Sequence, residues 1–111
     1  MKNTIFIIGL GLIGGSLALG LKRNEFNRVI GYDANARSLL TAKKLGVIDE
    51  EVASVWDGLD DADVIVFATP VKETIRLIKE MPLDRVKSTA IITDTGSTKK
   101  EIMAAAIGEN S

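Results

Sequence analysis

The stretch Thr4-Ile-Phe-Ile-Ile-Gly-Leu-Gly-Leu-Ile-Gly14 decides the fold of this chain. Residues 4–8 are apolar apart from the threonine and mostly β-branched, which is typical of a parallel strand buried on both faces. Glycines end this strand at once. Small and apolar residues then run from Leu12 to Lys22 and predict a helix that lies close against a sheet. The stretch therefore predicts a strand, a tight turn and a helix in immediate succession.

The rest of the chain repeats this alternation. Further strands are predicted at 28–32, 64–68 and 90–93. Asn35 can cap a second helix, and a third follows Pro70, where Val71, Thr74, Ile75 and Ile78 have helical spacing. A last helix is predicted from Thr98 to Ile107, where Thr98 and Glu101 form a capping box. Signals between 47 and 63 are weak, and residues 51–55 fit a short strand or a helical turn. Short links between alternating elements predict an α/β fold: a doubly wound, mostly parallel sheet of the Rossmann type with helices on both faces.

Composition bounds the function. The 111 residues suffice for one domain, and 14 basic against 15 acidic residues give a net charge of -1, which argues against nucleic acid or an acidic membrane as partner. The chain has no Cys and no His, so we expect no disulfide, no thiolate and no metal site, and a reducing cytoplasm suits it. The uncharged run from Ile5 to Leu21 resembles a signal peptide or membrane span, but its five glycines disfavour one continuous helix.

The glycine string predicts a dinucleotide site because of its context. Gly9, Gly11 and Gly14 form G-x-G-x-x-G between a predicted strand and a predicted helix. Gly9 permits the tight turn, Gly11 lets the backbone approach a pyrophosphate, and Gly14 lets helix and strand pack closely. Free N–H groups at the helix start, at Leu12 and Ile13, favour an anion. The alternative is a βα turn that needs the same glycines and binds nothing.

An acidic residue at the end of the second strand fits the same site. Asp33 follows Gly14 by 19 residues and can accept from both ribose hydroxyls of an adenosine. Its carboxylate repels a 2'-phosphate and so favours NAD over NADP, although Arg37 could partly offset this. The alternative for Asp33 is a turn residue or helix cap.

Two later segments follow strands and are expected at the same sheet edge. Thr69 and Pro70 are interpreted as a wall for the nicotinamide half, with a simple proline-closed strand as the alternative. Thr95, Gly96 and Ser97 lie in the run D-T-G-S-T-K, where glycine allows close approach and serine offers a hydroxyl; a capped helix start is the alternative. We count Thr69, Pro70, Thr95 and Gly96 among the cofactor-binding residues.

Two other features are interpreted as structural. Trp56, the single tryptophan, fits packing better than a stacking platform. The nearby acids have no metal-ligand spacing and predict a solvated loop: Asp57, Asp60, Asp61 and Asp63.

Three motifs together resemble a known family. G-L-G-L-I-G-G-S-L-A at 9–18, T-P-V at 69–71 and D-T-G-S-T-K at 94–99 look like the N-terminal nucleotide domain of prephenate dehydrogenases, which are similar to arogenate dehydrogenases. The resemblance implies an NAD-dependent oxidative decarboxylation of prephenate to 4-hydroxyphenylpyruvate in tyrosine biosynthesis. Hydride leaves the ring carbon that bears the hydroxyl, a His takes the hydroxyl proton, and loss of CO2 aromatises the ring.

The resemblance also assigns Ser97 a place near the substrate hydroxyl and the catalytic His. In the family that His belongs to an H-P-M-x-G-like segment, and a helical C-terminal domain supplies homodimer contacts; neither lies within this sequence. We therefore expect residues 1–111 to be an NAD(P)-binding domain that binds NAD without turnover. Two alternatives stay open: another dehydrogenase of this architecture (arogenate-specific, 6-phosphogluconate-like or imine-reducing), and a non-enzymatic NAD-sensing module.

Overall fold

The computed structural model describes residues 3–95. Strands and helices alternate as the sequence predicts, with these bounds: β1 Asn3–Ile8, α1 Leu12–Lys22, β2 Asn27–Tyr32, α2 Ala36–Lys44, β3 Glu50–Glu51, β4 Val64–Phe67, α3 Val71–Glu80, a 3-10 turn Leu83–Arg85, and β5 Ile91–Asp94. The capping box and the helix predicted over 98–107 lie outside the described residues, as do Gly96 and Ser97.

One parallel sheet organises this part of the chain. Its strand order is β3-β2-β1-β4-β5, and every neighbouring pair is parallel. The undecided segment supplies the two-residue strand β3, which pairs with Ile30 and Gly31 at one edge. The α/β, doubly wound prediction is confirmed. β2 lies on one side of β1, and β4, which follows later in the chain, lies on the other side. Because the strand order reverses between β1 and β4, a crevice opens at the carboxyl ends of β1 and β4.

Side chains of the central strand divide the core into two layers. Ile5 and Ile7 of β1 point to the face covered by α1 and α2, where Ala18 and Ala42 pack. Phe6 and Ile8 point to the opposite face, which α3 and the β3–β4 connection cover. All four β1 side chains are at most 5% exposed, as expected for a strand buried on both faces.

Helix α3 is present as predicted, but the apolar residues that predict it do not form its buried face. Val71, Ile75 and Ile78 are exposed, whereas Thr74 and Leu77 are buried. The helix is rotated this way because the Thr74 hydroxyl hydrogen-bonds to Thr69 at the end of β4. Of the four residues whose spacing predicts this helix, only Thr74 is buried, and its hydroxyl has the partners that a buried polar group needs.

The acidic loop before β4 is only partly solvated. Asp57, Asp60 and Asp61 are exposed, and Asp60 pairs with Arg85. Asp63 instead accepts from the Thr4 amide at 2.8 Å and from the Lys87 ammonium at 3.0 Å. The Thr4 hydrogen bond, assisted by Lys87, holds the pKa of Asp63 below its usual range.

The uncharged run from Ile5 to Leu21 is not one helix, because the glycine turn divides it between β1 and α1. Within residues 3–95, no helix is both long and apolar enough to cross a membrane.

Candidate functional site

The glycine turn between β1 and α1 has two sterically required positions and one open position. Gly9 has φ +102°, and a Cβ there would lie 2.6 Å from the Ala68 carbonyl oxygen. A Cβ on Gly14 would lie 1.9 Å from the Gly9 carbonyl oxygen. A Cβ on Gly11 would meet no atom of the described part of the chain within 4 Å. The outer glycines thus shape the turn, and the middle one faces open space.

The start of α1 offers hydrogen-bond donors without a side-chain cap. Gly11 is the N-cap residue, its carbonyl accepts from the Gly15 amide at 2.8 Å, and no side chain among residues 3–95 caps the helix. The amides of Leu12, Ile13 and Gly14 therefore have no carbonyl partner within the helix. No acidic side chain lies in this first turn. Together with the positive end of the helix dipole, these amides give the start of α1 the chemistry that suits an anion.

Asp33 joins the glycine turn to the next helix. Its Oδ2 accepts from the Leu10 amide and its Oδ1 accepts from the Asn35 amide, both at 2.7 Å. The turn role considered for Asp33 is therefore present. An ionised carboxylate has about four lone-pair positions, so two remain for further donors, and ribose hydroxyls are suitable ones.

A cleft of about 640 Å³ lies at this sheet edge. Its size is in the usual range for small-ligand sites. Five residues predicted for the site line it together: Gly9, Gly11, Asp33, Thr69 and Pro70. Leu12 and Ile13 are not among its lining residues, and both are strongly exposed on the first turn of α1. The structure thus gathers the glycine turn, the acid and the T-P segment around one cavity.

The T-P segment is held by a pair of threonines. The hydroxyl oxygens of Thr69 and Thr74 lie 2.7 Å apart, and the Thr74 hydroxyl also donates to the Thr69 carbonyl at 3.1 Å. Helix α3 begins immediately, since the Thr74 amide donates to the Pro70 carbonyl at 2.9 Å. Thr74 was not among the predicted site residues, although a hydroxyl one turn into a helix that follows a strand end could have indicated it.

Thr95 follows β5 beside this segment. Its amide donates to the Phe67 carbonyl at 3.0 Å, so it lies at the same sheet edge as Thr69. Thr95 does not line the cleft. Its neighbours Gly96 and Ser97 lie outside the described residues.

Sequence reasoning missed the charged and aromatic lining of the cleft. Helix α3 contributes Lys72, Glu73 and Arg76, and Trp56 contributes from the β3–β4 connection. Arg76 pairs with Glu73 and, at 2.8 Å, with Glu80. The hydrogen bond that the Arg76 guanidinium donates to the Glu73 carboxylate is the main cause that raises the pKa of Arg76. The i, i+4 spacing of Lys72 and Arg76 on a helix that begins at the ligand edge was a usable signal for these residues.

Comparison with protein families decides the assignment. The family model for the prephenate dehydrogenase nucleotide-binding domain matches residues 17–109. The chain belongs to this family. The predicted resemblance to it is thereby confirmed, and 6-phosphogluconate-like or imine-reducing alternatives are not favoured.

Individual relatives of the family agree. The chain is 41% identical over 104 residues to a prephenate dehydrogenase from Bacillus subtilis, and 44% identical over 101 residues to one from Lactococcus lactis. These matches cover 93% and 89% of this chain and 28% of each relative. A crystal structure of A. aeolicus prephenate dehydrogenase with hydroxyphenyl propionate and NAD+ superposes with a TM-score of 0.73 at 32% identity, covering 97% of this chain and 39% of that one. The chain thus spans well under half the length of these relatives.

Proposed function

We propose that this chain is the cofactor-binding domain of an NAD-dependent prephenate dehydrogenase. The whole enzyme would convert prephenate to 4-hydroxyphenylpyruvate by oxidative decarboxylation, in tyrosine biosynthesis in the cytoplasm. The observation that carries the proposal is the uncapped start of α1 beside the Asp33 carboxylate, on one cleft of a domain that belongs to this family.

The residues present fit NAD. The open space at Gly11 admits a pyrophosphate, and the amides of Leu12 and Ile13 supply donors and positive potential for it. The spare lone pairs of Asp33 accept from the adenosine ribose. Thr69 and Pro70, with Thr95 and Gly96, are assigned to the wall on the nicotinamide side. NAD, when bound, supplies the hydride acceptor.

The charge around the cleft favours NAD over NADP. Asp33 disfavours a 2'-phosphate, and the positive charge of Arg76 is already balanced by Glu73 and Glu80. Lys72 is the other basic residue of the lining, so acidic residues outnumber basic ones there. Calorimetric titration of the chain with each cofactor at low salt tests this. We expect NAD to bind and NADP to bind more weakly. Equal or tighter binding of NADP would contradict the role of Asp33, and no binding of NAD would contradict the proposal as a whole.

Turnover requires a general base, and these 111 residues contain no histidine that could be that base. Hydride leaves an alcohol carbon productively only when the hydroxyl proton is removed, and a positioned base contributes roughly 10^2- to 10^4-fold. Asp94 is the carboxylate nearest to Ser97 in the sequence, and a carboxylate is a weaker general base than a histidine at neutral pH. Ser97 is assigned to orient the substrate hydroxyl rather than to remove its proton.

We expect the chain, folded and loaded with NAD, to form no measurable NADH from prephenate. The comparison is with the same chain extended through the family's His segment and helical domain, which we propose also forms the homodimer. Equal activity of the two proteins would place the base within residues 1–111. Activity of the longer protein on arogenate but not prephenate would change the substrate assignment, and its molecular mass in solution tests the dimer.

A further inference from the structure

The single tryptophan of the chain is part of the cleft as well as of the core. Trp56 is half-buried and packs against the layer that contains Phe6 and Leu77. It also lines the cleft that contains Asp33. Trp56 therefore contributes to the lining of the cleft as well as to packing.

The polar edge of the indole is available. No hydrogen bond joins the Trp56 indole N–H to a partner within residues 3–95, and no buried side-chain nitrogen or oxygen in that part of the chain lacks one. The indole N–H is therefore solvent-accessible rather than sealed in the core. A half-exposed indole of this kind has a π-surface and an N–H donor, and within residues 3–95 that donor has no partner.

The cleft has the chemistry of a slot for a flat heteroaromatic group. Apolar lining comes from both sides of the sheet edge: Ile8, Val55, Ala68 and Leu77. The charged groups of Lys72, Glu73 and Arg76 lie on α3, where their side chains are at least partly exposed. Apolar contact surface with a few polar groups suits a base whose faces are apolar and whose edge makes hydrogen bonds.

We propose that Trp56 stacks on the adenine of the bound dinucleotide. The inference rests on the proposed function, because Asp33 on the same cleft would hold the ribose to which that adenine is attached. Base stacking on an aromatic side chain is favourable, whichever base is present, because every base has a π-face. Trp56 is thus a cofactor contact supplied by the β3–β4 connection, the part of the chain with the weakest sequence signals.

Because Trp56 is the only tryptophan, its fluorescence reports on this contact directly. The 111-residue chain is titrated with ADP-ribose, which contains the adenine, and with nicotinamide mononucleotide, which does not. We expect ADP-ribose and NAD to quench the emission with saturation, and nicotinamide mononucleotide to leave it unchanged. Saturating binding of ADP-ribose by calorimetry without a change in emission would overturn the proposal.

Substitutions give a second, independent measurement. Trp56→Leu should weaken NAD binding roughly five- to a hundredfold, and Trp56→Phe, which keeps a π-face, should weaken it much less. Phe26→Leu is the matched control, since Phe26 is an exposed aromatic side chain that does not line the cleft. A folded Trp56→Leu variant that binds NAD as tightly as the natural chain would refute stacking while leaving the proposed function intact. If that variant does not fold, the emission titration decides. Failure of the unsubstituted chain to bind NAD would instead refute the proposed function itself.

Discussion

Helices α1 and α2 both begin at the carboxyl edge of the sheet, but their first turns differ. At α2 the Asn35 side chain accepts from the amides of Arg37 at 2.9 Å and Ser38 at 3.2 Å. At α1 the equivalent position is Gly11, and none of the described side chains caps the helix. The first helix leaves available the donors that the second satisfies internally. An uncapped start on a ligand cleft is what an anion-binding helix requires.

The difference does not arise from a loosely held turn. The Asp33 carboxylate binds the Leu10 amide before α1 and the Asn35 amide before α2. Gly9 and Gly14 add contacts so close that neither position has room for a methyl group. The α1 start is therefore rigidly placed and chemically open, which is how a preorganised binding site is built.

The largest effect is expected from filling the tight side of the turn. Gly14→Ala places a Cβ 1.9 Å from the Gly9 carbonyl oxygen and 3.1 Å from the Ala68 Cβ. We expect it to lower the free energy of unfolding by about 3 kcal/mol or more. A Cβ on Gly20 of the same helix would meet no described atom within 4 Å. Gly20→Ala should therefore raise the free energy of unfolding by about 0.5–1 kcal/mol. Urea unfolding measures both. Equal stability of the Gly14→Ala and natural chains would show that the turn has another geometry.

The second-largest effect, on NAD affinity, is expected from removing the Asp33 carboxylate that joins the starts of α1 and α2. Asp33→Ala leaves the Leu10 and Asn35 amides without their acceptor and removes the proposed ribose acceptor. We therefore expect NAD binding to weaken by about 1–3 kcal/mol, and the difference between the NAD and NADP affinities to become smaller. Calorimetry with both cofactors measures this. Asp61→Ala is the control, because that side chain is 71% exposed and lies outside the cleft. An unchanged NAD affinity in Asp33→Ala would limit Asp33 to its role in the turn.

The capped helix should respond in stability and not in binding. Asn35→Ala leaves the Arg37 and Ser38 amides without their acceptor and should cost about 1 kcal/mol of unfolding free energy. Asn35→Ser, which keeps a capping oxygen, should recover most of it. NAD affinity should be the same in all three proteins. A marked loss of NAD affinity in Asn35→Ala alone would mean that the two helix starts do not have separate functions.

The smallest effect is expected at the opposite end of β1. There the Asp63 carboxylate accepts a hydrogen bond from the Thr4 amide, as the Asp33 carboxylate does from the Leu10 amide. Because the pKa of Asp63 is lowered in the folded chain, its stabilisation is present above the unfolded pKa near 3.9 and is lost as pH falls through the lower folded value. Its side chain is 39% exposed, so solvent screening keeps the effect below about 1 kcal/mol. Urea midpoints between pH 7 and pH 3 should fall more steeply for the natural chain than for Asp63→Asn. Parallel curves would contradict this assignment.

The sequence predicted the fold well where burial imposes a pattern. Strands covered on both faces are continuous apolar runs, so β1 and β4 were found within one or two residues of their observed ends. Asn35 was predicted as a cap from its position alone, and its side chain caps α2. Two-residue β3 was undecided because so short an edge strand carries no periodicity.

The sequence predicted those residues of the cleft lining that belong to local motifs, and it missed those that packing brings to the cleft. Gly9, Gly11 and Asp33 follow from motif spacing, and the cleft brings them together. Trp56 lines the same cleft but lies in a connection that contains no motif. Its distance in sequence from Asp33 and the glycine turn gives no sign that it lies near them. Thr74 is buried by a hydrogen bond to Thr69, which a hydrophobic pattern does not encode.

The most direct test of the open helix start is to give α1 the cap that α2 already has. Gly11 has extended backbone and no atom within 4 Å of a Cβ position, so Gly11→Asn can be accommodated and its side chain can accept from the α1 amides. Calorimetric titration of this variant with NAD is the measurement. We predict at least tenfold weaker NAD binding, about 1.4 kcal/mol, with an unchanged or higher melting temperature. NAD binding at the affinity of the natural chain would contradict the account, because the α1 amides would then not be the donors that hold the dinucleotide.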